Sequence, residues 1–212
     1  MKNVKGEEIY SSQEEKNEYY NTIYSNTVNV NDYSYHGWHV KVKDDYFNTV
    51  LIPFCLKMKI KTALDVGADF GKYAVKLYEH GIEVTASEIT PERHEFLRGA
   101  LDKNGYQEVK TICADIESMF FPEPYDLIFL SDIVEHLETP IATWNKCILN
   151  SKYIYALIPK EDSWNWSPDH IVRFDDEKIA ELVSLADDLV SLDVLDYDES
   201  NSWYALTVRG MC

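Results

Sequence analysis

Basic residues are scarce in this sequence: 20 lysines and arginines stand against 37 aspartates and glutamates, giving a formal charge of -17 and a pI near 4.6. Such a surface repels nucleic-acid phosphates and anionic membranes, which disfavours a polynucleotide substrate or a membrane partner. Cysteine is sparse too. The four, at 55, 113, 147 and 212, make no C-x-x-C pair and are expected as free, mostly buried thiols. No apolar run reaches the roughly 18 residues of a membrane span, and no signal-peptide pattern is present. A soluble, cytoplasmic protein is expected. P-loop and G-x-S-x-G patterns are missing, which removes nucleoside triphosphatases and hydrolases of that type. No H-x-x-x-H spacing occurs either, so no metal ion is expected.

At 212 residues, with 45% hydrophobic and 13% aromatic side chains, the chain is sized and composed for a single globular domain. One stretch organises it, Thr62-Ala-Leu-Asp-Val-Gly-Ala-Asp-Phe-Gly-Lys-Tyr73. Ala63 to Val66 reads as a buried strand, Gly67 and Gly71 supply backbone freedom, and Lys72 to His80 reads as a helix stopped by Gly81. The turn aims the helix's first N–H groups at whatever lies above the strand's carboxyl end. A dinucleotide fingerprint counted from Gly67 needs glycines at 69 and 72, where this chain has Asp and Lys. A carboxylate at Asp69 repels a pyrophosphate but suits a ligand carrying an ammonium and a sulfonium, which favours S-adenosylmethionine.

Further strands follow in order. Ile82 to Glu88 ends in an acid 23 residues after Asp65, near the spacing at which a carboxylate accepts from both ribose hydroxyls, and Ile89 offers an apolar face to a base. Thr90-Pro91 opens a helix that runs to Gly105, and Val109 to Asp115 reads as a third strand, again closed by an acid. Tyr125 to Ser131 is an unbroken apolar strand of the buried, parallel type. Ile154 to Pro159 reads as a fifth strand closed by its proline; Leu189 to Val194 and Trp203 to Val208 read as a closing antiparallel pair. Asp44 to Lys59 reads as a helix that Pro53 kinks or restarts, and Asp176 to Leu185 as the last helix.

Leu64-Asp-Val-Gly-Ala-Asp-Phe-Gly71 resembles motif I of the class I, Rossmann-like, S-adenosylmethionine-dependent methyltransferases, with Asp69 where the middle glycine of Asp/Glu-x-Gly-x-Gly-x-Gly usually stands. Asp132-Ile-Val-Glu-His-Leu137 resembles the segment after the fourth strand in many small-molecule members, and Asp169-His-Ile-Val-Arg-Phe-Asp175 the stretch before their last helix. The ordered set covers roughly residues 60–209. It implies a doubly wound, seven-stranded, mostly parallel α/β sheet that binds S-adenosylmethionine and releases S-adenosylhomocysteine. By this resemblance the cofactor lies against Asp65, Gly67, Ala68, Asp69, Gly71, Glu88 and Ile89. Asp115 and the Ile116 N–H meet the adenine, and Ser131 the methionine end.

Residues 1–43 are expected as a helical lid, with Glu14 to Tyr24 as its helix, over a cofactor-binding domain at 44–212. Methyl transfer from a sulfonium chiefly demands in-line placement, and a base helps when the acceptor is neutral. The candidates are His136, His170 and Asp132, then His36; Trp38, Trp164 and Trp166 are candidate walls or packing anchors. The expected activity is methylation of an oxygen or nitrogen of a small molecule. The alternatives are a non-catalytic relative that kept the fold, or a protein or peptide methyltransferase. A nucleotide-linked oxidoreductase is disfavoured by the missing glycines, and a homodimer is left open.

Overall fold

The computed structural model describes residues 1–2, 6–24, 38–160, 169–196 and 202–212. Its centre is β1 (Thr62–Val66), whose last four residues are all buried because both faces of the sheet are covered at that point. Around it lie β2 (Glu83–Glu88), β3 (Lys110–Cys113), β4 (Tyr125–Ser131), β5 (Ser151–Lys160), β6 (Asp188–Asp196) and β7 (Ser202–Arg209). The seven strands run in the order β3-β2-β1-β4-β5-β7-β6. β1 to β5 are parallel and β7 is antiparallel to both of its neighbours, giving a doubly wound α/β sheet with a reversed edge. The order reverses between β1 and β4, so a crevice opens above their carboxyl ends.

Helices fill both faces. The chain carries α1 (Gln13–Tyr24), α2 (Trp38–Tyr46), α3 (Ile52–Met58), α4 (Lys72–Glu79), α5 (Pro91–Lys103), α6 (Pro140–Ile148) and α7 (Asp176–Ser184). One core gathers Phe47, Leu51, Leu97, Phe129 and Tyr155; the other gathers Leu64, Ile128, Trp144, Phe174 and Leu206. Pro53 sits in the first turn of α3. It has no N–H to return to the preceding turn, and residues Phe47–Leu51 widen into a π-helix between α2 and α3. α5 starts as its residues dictate, with the Thr90 hydroxyl accepting from the Arg93 N–H and Pro91 in the first turn.

Two strand boundaries differ from the sequence expectation. β5 does not stop at Pro159 but runs through it to Lys160, with Pro159 opposite Trp203 of β7. Its pairing with β4 ends at Leu157, so the proline stands where one side of the strand needs no donor. β3 is four residues long, and Asp115 lies beyond it in a turn, because β3 is the sheet's edge and pairs only with β2. His36, Trp164 and Trp166 lie outside the described residues, and nothing is described of the Trp38 side chain.

Candidate active site

The turn after β1 is built by steric exclusion. Gly67 has φ +64°, and a Cβ there would fall 2.3 Å from Cδ1 of Ile133. Gly71 has φ +86°, and its Cβ would fall 2.8 Å from Cδ2 of Leu101 on α5. Both positions therefore need glycine, for backbone conformation and for close approach. Asp69 also adopts the left-handed region, at φ +53°, a conformation that aspartate tolerates better than most residues. Its N–H donates to Oε1 of Glu88 at 2.6 Å, and its carboxylate is paired with Arg93. Arg93 escaped the sequence reading: on a linear chain it is one more helix residue, 24 positions from its partner.

This turn, the ends of β2, β3 and β4, and helix α1 enclose a cavity of about 290 Å³. Of the residues singled out from the sequence, Gly67, Asp69, Glu88, Ile89, Asp115, Ile116, Ser131, Asp132 and His136 line it. Asp65, Ala68, Gly71 and His170 do not. Asp65 is 2% exposed beneath the turn, and burial, with the charge of Glu88 adding to it, pushes its carboxyl up to about 8. Glu88 is nearly as deep. Burial pushes it up to about 7 against the opposing pull of Arg93 and the Asp69 N–H.

The cavity also takes residues the sequence did not signal. Lys16 of α1 reaches across to Asp115 and Glu117, at 3.0 Å each, and to Glu138 at 3.4 Å. Burial alone would lower this ammonium, but Asp115 and Glu117 hold it well above the usual lysine range. Tyr20, one turn on, lines the same wall. Because Lys16 has three carboxylate partners, Lys16→Met should loosen α1 by about 2 kcal/mol and speed amide exchange over Gln13–Tyr24 by roughly 30-fold. Unchanged exchange there would show that α1 is held by apolar contacts alone.

At the β4 end, Asp132 has φ +53° and accepts from Lys43 Nζ at 2.5 Å, Ser131 Oγ at 3.1 Å and Trp203 Nε1 at 2.9 Å. Burial works against its ionisation, yet Lys43 and these donors hold it below the usual carboxylate range. Lys43 comes from α2 and Trp203 from β7, so strands and helices distant in sequence converge on one carboxylate. His136 ends the 3-10 turn Val134–His136, with Nδ1 3.1 Å from the Asp169 carbonyl oxygen and its ring packed edge-on against His170. Burial lowers its pKa, with Asp169 opposing. Arranged this way, the cavity has an acid-lined end suited to hydroxyl and amino donors and an opposite end with an ionised carboxylate beside an imidazole.

Residues 64–148 match the family model of a methyltransferase domain. That match lies within a seven-stranded sheet that has the class I, Rossmann-like methyltransferase fold. Solved structures share the fold at low identity. A magnesium protoporphyrin IX methyltransferase from Synechocystis PCC 6803 with bound S-adenosylhomocysteine is 12% identical, with a TM-score of 0.69 over 94% of this chain and 100% of its own. The N-terminal domain of EvdMO1, also with S-adenosylhomocysteine bound, is 14% identical, with a TM-score of 0.60 over 83% and 82%. The [4+2]-cyclase SpnF is 11% identical, with a TM-score of 0.64 over 76% and 80%. No curated protein sequence matches the chain. Among the described residues, no helix is long and apolar enough to cross a membrane.

Proposed function

We propose that the protein transfers the methyl group of S-adenosylmethionine to an oxygen or nitrogen of a small-molecule acceptor. One observation carries the reading: a single cavity joins Glu88, Ile89 and Asp115 at one end to Ser131, Asp132 and His136 at the other. Glu88 accepts from the ribose hydroxyls, Asp115 from the adenine amino group, and the Ile116 N–H donates to the ring. Ser131 and the turn from Gly67 to Gly71 face the methionine part, and Asp65 supports that turn from below. The acceptor's lone pair attacks the methyl carbon, the carbon–sulfur bond breaks with its electron pair on sulfur, and the acceptor's proton passes to a base. His136 is the base that reaches the cavity, Asp132 orients the acceptor, and His170 steadies His136 from behind. Residues 1–43 act as a lid, of which α1 contributes Lys16 and Tyr20, over the cofactor-binding domain at 44–212. A closed site keeps water from the dispersing charge of the reaction.

Calorimetric titration with S-adenosylmethionine and S-adenosylhomocysteine, with NAD as control, tests the cofactor end. Micromolar binding of the first two alone is expected; failure of both by a folded protein would overturn the reading. His136→Ala should lower turnover by roughly 100-fold or more while leaving S-adenosylhomocysteine affinity unchanged. Full activity in both His136→Ala and His170→Ala would show that placement alone drives the reaction.

A further inference from the structure

Behind the cavity wall lies a cluster that the linear spacing conceals. Glu135 and His136 are neighbours on the turn after β4, and His170 arrives from the segment before α7, 34 residues later. The backbone fastens the two together: the N–H groups of Ile171 and Val172 both donate to the Glu135 carbonyl, at 2.8 and 3.0 Å. As a result Nε2 of His136 stands 3.8 Å and Nε2 of His170 4.0 Å from the same oxygen, Oε1 of Glu135. One nitrogen or oxygen from each of the three residues lies within 4.8 Å of the other two. Glu135 is fully buried, His170 is 7% exposed, and His136 alone reaches the cavity.

We propose that Glu135, His136 and His170 bind a divalent transition-metal ion of the zinc class. Two imidazoles and one carboxylate make a donor set that zinc-type ions use when a coordination position is kept open for substrate. Nitrogen donors disfavour magnesium and calcium, which take oxygen ligands. Because Nδ1 of His136 meets a backbone carbonyl, that nitrogen carries the proton, which leaves the Nε2 lone pair on the side of Glu135. Three donors about 2.0–2.2 Å from one ion stand roughly 3.4–3.6 Å apart, so closure draws the widest pair together by about 1.2–1.4 Å through side-chain rotation. His136 bridges the ion and the cavity, which turns the open position toward an acceptor. This inference rests on the methyl-transfer reading and narrows it: the acceptor presents an oxygen, since coordination of a hydroxyl favours its deprotonated form. His136 then serves the acceptor through the ion rather than as a free base.

The test is a titration of chelator-treated, full-length protein with Co²⁺, read by visible absorption and by metal content after desalting, with S-adenosylhomocysteine binding measured on the same sample. The expected result is one Co²⁺ per chain with a d–d band of low-symmetry nitrogen and oxygen coordination, displaced by Zn²⁺. Glu135→Gln and His170→Ala should each weaken Co²⁺ binding by on the order of 100-fold, while His80→Ala, an exposed histidine elsewhere, leaves it unchanged. Absence of saturable Co²⁺ binding by wild-type protein that still binds S-adenosylhomocysteine overturns the metal site whatever the variants do. Equal binding by wild type and both ligand variants also overturns it. Metal binding without S-adenosylhomocysteine binding keeps the site and instead defeats the methyl-transfer reading.

Discussion

Replacing Glu88 with glutamine is expected to weaken S-adenosylmethionine binding by about 100-fold and to flatten its dependence on pH. The acid is 6% exposed, and burial raises its pKa to about 7. In the proposed site the ribose hydroxyls donate to its ionised form, so in wild type a proton would have to leave before the ligand binds at lower pH. Affinity should then fall by nearly tenfold per pH unit below about 7, and glutamine, which does not titrate, should abolish that slope. For the unliganded protein the sign reverses. A carboxyl raised from 4.5 to about 7 on folding binds its proton more tightly in the folded chain, so its stabilising effect is complete below about 4.5 and is lost as pH rises through about 7. Asp65, raised to about 8, acts in the same direction and is untouched by the substitution. Calorimetry at three pH values, with thermal unfolding of both proteins at pH 5 and 8, checks both parts. The stability difference should shift in favour of Glu88→Gln as pH rises, and parallel pH profiles would defeat the assignment of Glu88 to the ribose.

Phe129→Ala should cost about 3–5 kcal/mol of folding stability. Phe129 is fully buried on β4, at the middle of the sheet. Its ring stacks on Tyr155 with centroids 5.4 Å apart and planes within 4°, meets Phe47 edge-on at 5.6 Å, and lies 5.2 Å from Tyr73. Truncation removes the transferred area and leaves a cavity among three other rings that have no room to rotate into it. Urea unfolding measures the loss, and a cost below about 1 kcal/mol would mean that the aromatic cluster does not pack as described. Phe129 does not line the active-site cavity. The folded fraction of the variant should therefore keep its S-adenosylhomocysteine affinity.

Much of this architecture is legible along the chain because it is local. The short, aromatic-rich apolar run Tyr125–Ser131 reads as a buried strand from its length and residue types, and its bounds are those the sequence suggests. Thr90 and Pro91 mark the start of α5 by chemistry that involves only the next three residues. The β5 boundary was misjudged because whether proline ends a strand depends on which neighbours still pair with it, and β4 had stopped two residues earlier.

The sequence by itself determined the fold and picked out the acids that line one end of the cavity. Strand period, glycine placement and the acids closing strands two and three are each set within a few residues, and the parallel sheet brings strand ends to one edge. Tertiary structure alone decided how the charges around the cavity pair. Lys16 on Asp115, Arg93 on Asp69 and Lys43 on Asp132 join residues 99, 24 and 89 positions apart, and nothing in a linear pattern pairs them. The same holds for Glu135, His136 and His170. A ligand cluster is recognised in sequence only when one helix or turn supplies its spacing, and here the third member is supplied by packing, through two backbone hydrogen bonds to the Glu135 carbonyl.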